Sequence, residues 1–305
     1  MKVAIIQIEP VFLNAQKTWN KLKEKILEIS EQGVELITWG ETLIPGYPSW
    51  LSITQGAKFN DSIQKKLYQR YWSESLDLKN SSIIVEMREL AKKTNVMLMG
   101  GIAEKGGSSI YCTLLTIGKN GEILGRHRKL KPTYEERLVW ADGDELGLKT
   151  YPITSEGNVG GLNCWENWLP LARAALHLQG EIIHVSVWPG SLSLTKDITK
   201  FMALEGRYYV ISASGLLSAK TVHEFLAEEY SFTDESLYTK NQYYQNGGSM
   251  IMDPAGNVIS GPLIDQEGVL FADIDPKKVI EERQNLDISG HYSRFDIFNK
   301  PLDHL

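Results

Sequence analysis

Cys164 follows the apolar, glycine-punctuated run Val159-Gly160-Gly161-Leu162-Asn163 and precedes Trp165-Glu166-Asn167-Trp168-Leu169-Pro170. The first segment reads as a strand. The second opens a helix over Leu169 to Gln179, with Pro170 in its first turn, where a missing amide hydrogen does little harm. A thiol at such a junction sits near free amide hydrogens and the positive end of a helix, and both favour the thiolate, the form that attacks. The same position also suits a small buried hydrophobe, the usual role of an intracellular cysteine. Partners elsewhere in the chain must decide between the two.

Two charged residues hold comparable places. Glu41 follows the short apolar run Leu36-Ile37-Thr38-Trp39 and precedes Thr42-Leu43-Ile44-Pro45-Gly46-Tyr47-Pro48. Lys129 ends the β-patterned run Ile123 to Arg128 and leads into Leu130-Lys131-Pro132-Thr133-Tyr134-Glu135-Glu136-Arg137. Strand ends are where α/β folds place reactive groups. Taken singly, each residue reads more readily as a solvated charge. Together they form a working set: a carboxylate desolvated beside a thiol can take its proton. An attacked nitrile or carbonyl develops negative charge on nitrogen or oxygen, which an ammonium and a backbone amide hydrogen can stabilise.

The elements that must position these residues alternate along the chain. Val3 to Ile8 is a strand, and Asn14 can cap a helix bearing Trp19, Leu22, Ile26 and Ile29 at helical spacing before Gly33 ends it. The second strand, Leu36 to Trp39, stops at Gly40-Glu41. A helix begins near Asp61, another carries Ile83, Ile84, Met87, Leu90 and Ala91, and Val96 to Met99 is a strand. Asn120-Gly121 joins Tyr111–Ile117 to Ile123–Arg128 as a hairpin. Further on, Ile182 to Val187 and Tyr209 to Ala213 read as strands around a helix over Ile198 to Arg207. A late hairpin turns at Asp253 to Asn257, and Leu270 to Ile274 completes the sheet signal. No Pro/Gly/Ser-rich linker divides the chain, so residues 1–305 read as one α/β domain of mixed sheets covered by helices.

Composition narrows the function classes. The chain has 305 residues, 42% hydrophobic and 23% charged, with a net charge of -6, so nucleic acid is not expected as a partner. The N-terminal apolar run is too short for a signal peptide, and no window approaches the ~18 apolar residues of a membrane span. Cys112 and Cys164 lie far apart with neither Cys-x-x-Cys nor metal-ligand spacing, which suits a reducing, cytoplasmic setting. Neither a dinucleotide fingerprint nor a P-loop occurs, and no Gly-x-Ser-x-Gly elbow supports a serine hydrolase.

The chain resembles the nitrilase superfamily of carbon–nitrogen hydrolases, within it the true nitrilase branch, from Val3 to about Phe298. The glutamate motif matches Gly40 to Pro48, the lysine motif His127 to Trp140 and the cysteine motif Gly161 to Arg173; Gly247-Gly248-Ser249 and Ser289 to Arg294 are similar as well. The resemblance implies a four-layer αββα sandwich. It also implies Glu41 as general base, Lys129 as charge stabiliser, Cys164 as nucleophile, and Glu136 as a second glutamate that holds the lysine. Cys-Trp-Glu favours nitrile hydrolysis to the carboxylic acid and ammonia, through a thioimidate and a thioester, over an amidase or carbamoyl hydrolase using the same groups. No metal or organic cofactor is implied, and none of the six histidines lies at metal-ligand spacing with another ligand. Gly40 departs from the family, many members of which have proline there.

Tyr47, Thr133, Trp165, Trp188 and Pro189 are candidates for the substrate pocket, where aromatic walls would suit an apolar or aromatic nitrile. Trp188 reads equally as plain core. The resemblance implies a dimer or larger homo-oligomer, with the segment from about residue 276 in the contacts, including the aromatic His291-Tyr292-Ser293-Arg294-Phe295. The chain ends soon after Arg294, without the long tail of many nitrilases, so discrete oligomers are expected rather than filaments.

Overall fold

Val3, Ala4, Ile5 and Ile6 are all fully buried, although successive strand residues point to opposite faces. A strand apolar on both faces needs a layer on each side, and the computed structural model, which describes residues 1–231 and 242–298, provides both. β1 (Lys2–Gln7) leads into α1 (Ala15–Ser30), β2 (Val34–Ile44), the short α2 (Trp50–Ile53), α3 (Ser62–Glu74) and α4 (Ser82–Thr94). Three consecutive strands follow: β3 (Met97–Gly106), β4 (Ser109–Ile117) and β5 (Ile123–Arg128). Next come β6 (Tyr151–Pro152), β7 (Asn158–Asn163), α5 (Pro170–His177), β8 (Glu181–Trp188), α6 (Leu192–Gly206), β9 (Tyr209–Ser214), β10 (Leu216–Ser218) and α7 (Ala219–Tyr230). β11 (Tyr243–Met252), β12 (Val258–Ile264), β13 (Gly268–Asp273), α8 (Pro276–Arg283) and the short α9 (Phe295–Phe298) complete the described elements.

The strands form two mixed sheets, one ordered β13-β1-β2-β3-β4-β5 and the other β10-β11-β9-β8-β7-β6 with β12 beside β11. Their facing sides share one core, in which Val3, Ile5, Leu36 and Met99 meet Val159, Val185, Val187 and Ile211. The outer side of the first sheet packs Ala4, Ile6 and Ile37 against Trp19, Leu22, Ile84 and Met87 of α1 and α4. The outer side of the second carries α5, through Leu162, Ala172 and Leu176, and α6, through Trp188, Ile198, Met202 and Val210. Helix, sheet, sheet, helix: this is the expected αββα sandwich.

Local expectations held at several caps. Asn14 accepts from the Lys17 amide at the start of α1, and Asp61 does the same for Ile63 and Gln64 at α3. Others shift. α6 begins at Leu192, six residues before the expected Ile198, and α7 and α8 lacked a sequence signal strong enough to place them. The helix expected over Leu169 to Gln179 is preceded by a separate 3-10 turn, Cys164–Trp168, and ends at His177. Residues 299–305, the end of the expected domain and of its C-terminal segment, lie outside the described residues.

β2 departs most usefully. Rather than stopping at Gly40, it continues through Glu41 to Ile44 in an irregular stretch, where Trp39 pairs with Gly100 and Ile44 with Ile102. β2 therefore spends extra residues over the same span as β3. Such bulges re-aim side chains beside active sites, and here Thr42 adopts φ 44° just after Glu41. Gly40 has a steric reason: a Cβ there would lie 2.7 Å from the nitrogen of Gly215, which joins β9 to β10.

Candidate active site

The bulge in β2 points Glu41 into the molecule, where it is 2% exposed. Lys129 arrives from the other side of the same sheet. It directly follows β5, and its amide donates to the Cys112 carbonyl at 2.8 Å, continuing the β4–β5 ladder. A tight turn at Tyr134–Leu138 then brings Glu136 back: its carboxylate accepts from the Thr133 amide at 2.6 Å, and its own amide donates to the Thr133 carbonyl at 3.0 Å. The Lys129 ammonium donates to Glu41 Oε1 at 3.0 Å and to Glu136 Oε2 at 2.7 Å. Cys164 enters from the opposite sheet, at the end of β7. A carboxylate oxygen of each glutamate and the Cys164 sulfur lie within 4.8 Å of one another. The residues brought together thus come from three separate stretches of chain and from both sheets.

Charge decides what each can do. Burial pushes the Glu41 carboxyl up to about 7, with Lys129 opposing and Glu136 reinforcing the shift. Its Oε1 is engaged by Lys129 and by the Cys112 thiol, whereas its Oε2 is buried with no partner. That oxygen can receive a proton. Burial also pushes the Cys164 thiol well up; the Lys129 ammonium and a hydrogen bond from the Trp165 amide oppose this, while Glu41 and Glu136 add to it. Burial beside two carboxylates thus outweighs the pull of the short 3-10 turn toward the thiolate, and the thiol needs a base to lose its proton. Lys129 keeps its proton, for although burial disfavours the charge, the Glu41 and Glu136 carboxylates hold it well above the ordinary lysine value. The glutamates and the thiol could in principle surround a metal ion, but the Lys129 ammonium already supplies the cation between the carboxylates.

The candidate pocket residues divide. The Tyr47 hydroxyl is committed to Glu136 Oε1 at 2.8 Å, and its ring meets Trp140 edge-on. Thr133 is half-buried and holds Glu136 through its backbone. Trp165 is 44% exposed and leans on Trp168, although its amide faces the thiol. Trp188 is fully buried, its indole N–H on Ser212, in the same packed cluster as Cys164. Pro189 is half-buried just past β8.

Sequence reasoning overlooked several groups. Cys112 points its thiol at Glu41 Oε1, 3.3 Å away. The hairpin register could have shown it, since Thr113 pairs with Arg128 and so places Cys112 beside Lys129. Glu166 links the lysine and cysteine segments: its carboxylate accepts from the Leu130 amide at 2.8 Å and the Asn163 amide at 3.0 Å, and meets His127 Nε2 at 2.7 Å.

Residues 2–284 match the carbon-nitrogen hydrolase family model. A prokaryotic protein named nitrilase 2 is 33% identical over 99% of this chain and 92% of its own length. An aliphatic nitrilase from Rhodococcus rhodochrous is 33% identical over 99% of this chain and 79% of its own. Among solved structures, a carbon-nitrogen hydrolase from Helicobacter pylori superposes with a TM-score of 0.71 at 18% identity, covering 98% of this chain and 97% of that one. An amidase from Nesterenkonia sp. gives 0.65 at 18%, with 94% of each chain covered; at such identities the likeness is one of fold. With its sandwich architecture, its family-model match and relatives of this identity along nearly its whole length, the chain belongs to the carbon-nitrogen hydrolase family.

Proposed function

We propose that the chain is a nitrilase, hydrolysing an organic nitrile to the carboxylic acid and ammonia, with Cys164 as nucleophile, Glu41 as general base, Lys129 as charge stabiliser and Glu136 as the group that holds the lysine. The observation that carries this reading is the Lys129 ammonium fixed between two buried carboxylates with the Cys164 thiol beside them. The nitrile preference leans on the relatives named nitrilases at 33% identity.

Glu41 takes the thiol proton on its free Oε2 as sulfur bonds to the nitrile carbon, and the nitrogen gains that proton to give a thioimidate. Water, deprotonated by Glu41, adds to the same carbon; Glu41 passes that proton to the nitrogen, which takes a second from the new hydroxyl and leaves as ammonia, and a thioester remains. A second water, activated in the same way, releases the acid and restores the thiol. Throughout, Lys129 and the Trp165 amide face the atom on which negative charge collects. Tyr47, Thr133, Trp165, Trp188 and Pro189 remain the candidates for the pocket wall.

Acid and ammonia release from a panel of nitriles, each paired with its amide, tests the reaction. Nitriles should turn over faster than their amides; turnover confined to amides would replace the reading with an amidase. A pH prediction follows from Glu41, which must be ionised to accept a proton. Because burial raises its carboxyl to about 7, kcat/KM should fall about tenfold per pH unit below that value and level off above it. A profile still flat at pH 5 would remove Glu41 as the base.

Self-association is proposed with it, supported by exposed apolar side chains around the cysteine turn, α5 and α6: Trp168, Leu169, Leu171, Leu178, Leu194 and Phe201. The segment from residue 276 adds Tyr292, 62% exposed. Light scattering should give a multiple of 34.4 kDa, and a stable mass at that value would overturn the oligomer. Among the described residues no helix is long and apolar enough to cross a membrane. Two unbridged thiols suit the proposed cytoplasmic setting.

A further inference from the structure

Cys164 has φ 48°, a left-handed backbone that a residue with a side chain adopts only when its surroundings hold it there. The holder is Asn167. Its Nδ2 donates to the Cys164 carbonyl at 2.9 Å and to the Leu162 carbonyl at 3.3 Å, gripping the chain on both sides of the nucleophile's own amide. In a planar trans peptide the carbonyl of one residue and the N–H of the next point in opposite directions. Fixing the Cys164 carbonyl therefore also fixes the direction of the Trp165 N–H, the amide that faces the thiol.

Asn167 is held in turn. Carbonyls only accept, so Nδ2 must face them and Oδ1 must face the other way. Oδ1 lies 2.8 Å from His184 Nε2 and accepts from the Ser186 hydroxyl at 3.0 Å. An amide oxygen cannot donate, so His184 Nε2 bears a proton. His184 Nδ1 lies 2.8 Å from Glu181 Oε1. Burial would raise the Glu181 carboxyl, but His184 and His177 outweigh it and hold the carboxyl below its ordinary value. His177 Nδ1 stands 3.4 Å from the second Glu181 oxygen, and the Tyr208 ring stacks on His184, closing the layer. Glu181, His184, Ser186 and Asn167 are all fully buried.

We propose that Glu181, His184 and Asn167 are positioning residues for the nucleophile: the His184 Nε2–H, on a ring oriented by Glu181, locks the Asn167 amide, and that amide holds Cys164 and the Trp165 N–H in their reactive orientation. None of the three touches the reacting atoms. The inference rests on Cys164 being the nucleophile, which Cys164→Ala tests separately.

Two measurements on the full-length enzyme decide it. In uniformly ¹³C,¹⁵N-labelled wild type, with the ring signals assigned through bonds to the backbone, His184 Nε2 should show a protonated shift at neutral pH. A bare Nε2 would overturn the donor to Asn167. Asn167→Asp keeps shape but turns an acceptor toward both carbonyls. It should lower kcat about 100-fold, the cost of misplacing a reacting group by ~1 Å, with KM changed less than about threefold. His184→Leu should do the same, and His184→Gln, which retains an N–H donor, should recover part of the loss. If the variants that fold keep kcat within about threefold of wild type, positioning is overturned. If His184→Gln is no better than His184→Leu, the donor to Asn167 is overturned. Should none of them fold, a protonated or bare Nε2 in wild type still decides whether His184 donates to Asn167.

Discussion

Cys164→Ala should lose turnover by at least on the order of 10,000-fold while the protein folds as before. The variant deletes the sulfur and nothing else. Alanine can occupy the same left-handed backbone at a similar cost, and Asn167 still grips the carbonyls on either side. The small void should cost about 1 kcal/mol of stability, so the melting transition should shift by only a few degrees. Loss on this scale is expected because base, ammonium and amide have nothing to act upon once the nucleophile is gone. Wild type quenched during turnover should carry an acyl or thioimidate adduct on the peptide containing Cys164. Ordinary turnover by the alanine variant would mean that another group makes the covalent bond.

Lys129→Arg should be nearly as damaging as Lys129→Ala, each lowering kcat on the order of 100- to 1,000-fold. The ammonium sits fully enclosed, 3.0 Å from one glutamate and 2.7 Å from the other. A guanidinium is a planar fork with a larger head, so it cannot present a compact charge at that point without displacing a carboxylate. Alanine fails for a different reason. It leaves Glu41 and Glu136 facing each other without a cation, and breaking a buried pair in this way typically costs about 3–5 kcal/mol, reduced where one carboxyl takes up a proton. The two variants thus separate in a melting experiment while agreeing in the assay. If Lys129→Arg retained most of its activity, the ammonium would not be the charge stabiliser.

Much of this was legible in the sequence because its signals are short-range. Helical spacing of Trp19, Leu22 and Ile26, the caps Asn14 and Asp61, and the Asn120-Gly121 turn concern residues within a few positions of one another, and such patterns survive in the folded chain. The motifs around Glu41, Lys129 and Cys164 were equally local. The true length of β2 was not, because its continuation past Gly40 depends on pairing with β3 some 60 residues away, and a bulge has no periodic signature.

The sequence by itself determined which reactive groups the chain carries, and the order of strands and helices that present them. Only the tertiary structure decided their state. The pull of the strand-to-helix junction toward the thiolate is outweighed by the exclusion of water and by two carboxylates from distant segments. Tyr47, a candidate pocket wall, spends its hydroxyl on Glu136. Asn167 and His184, unremarkable in the sequence, meet behind the nucleophile because β7 and β8 run parallel and in register. Burial, charge coupling and hydrogen-bond partnership are properties of neighbours in space, and folding brings those neighbours from parts of the chain that no local pattern connects.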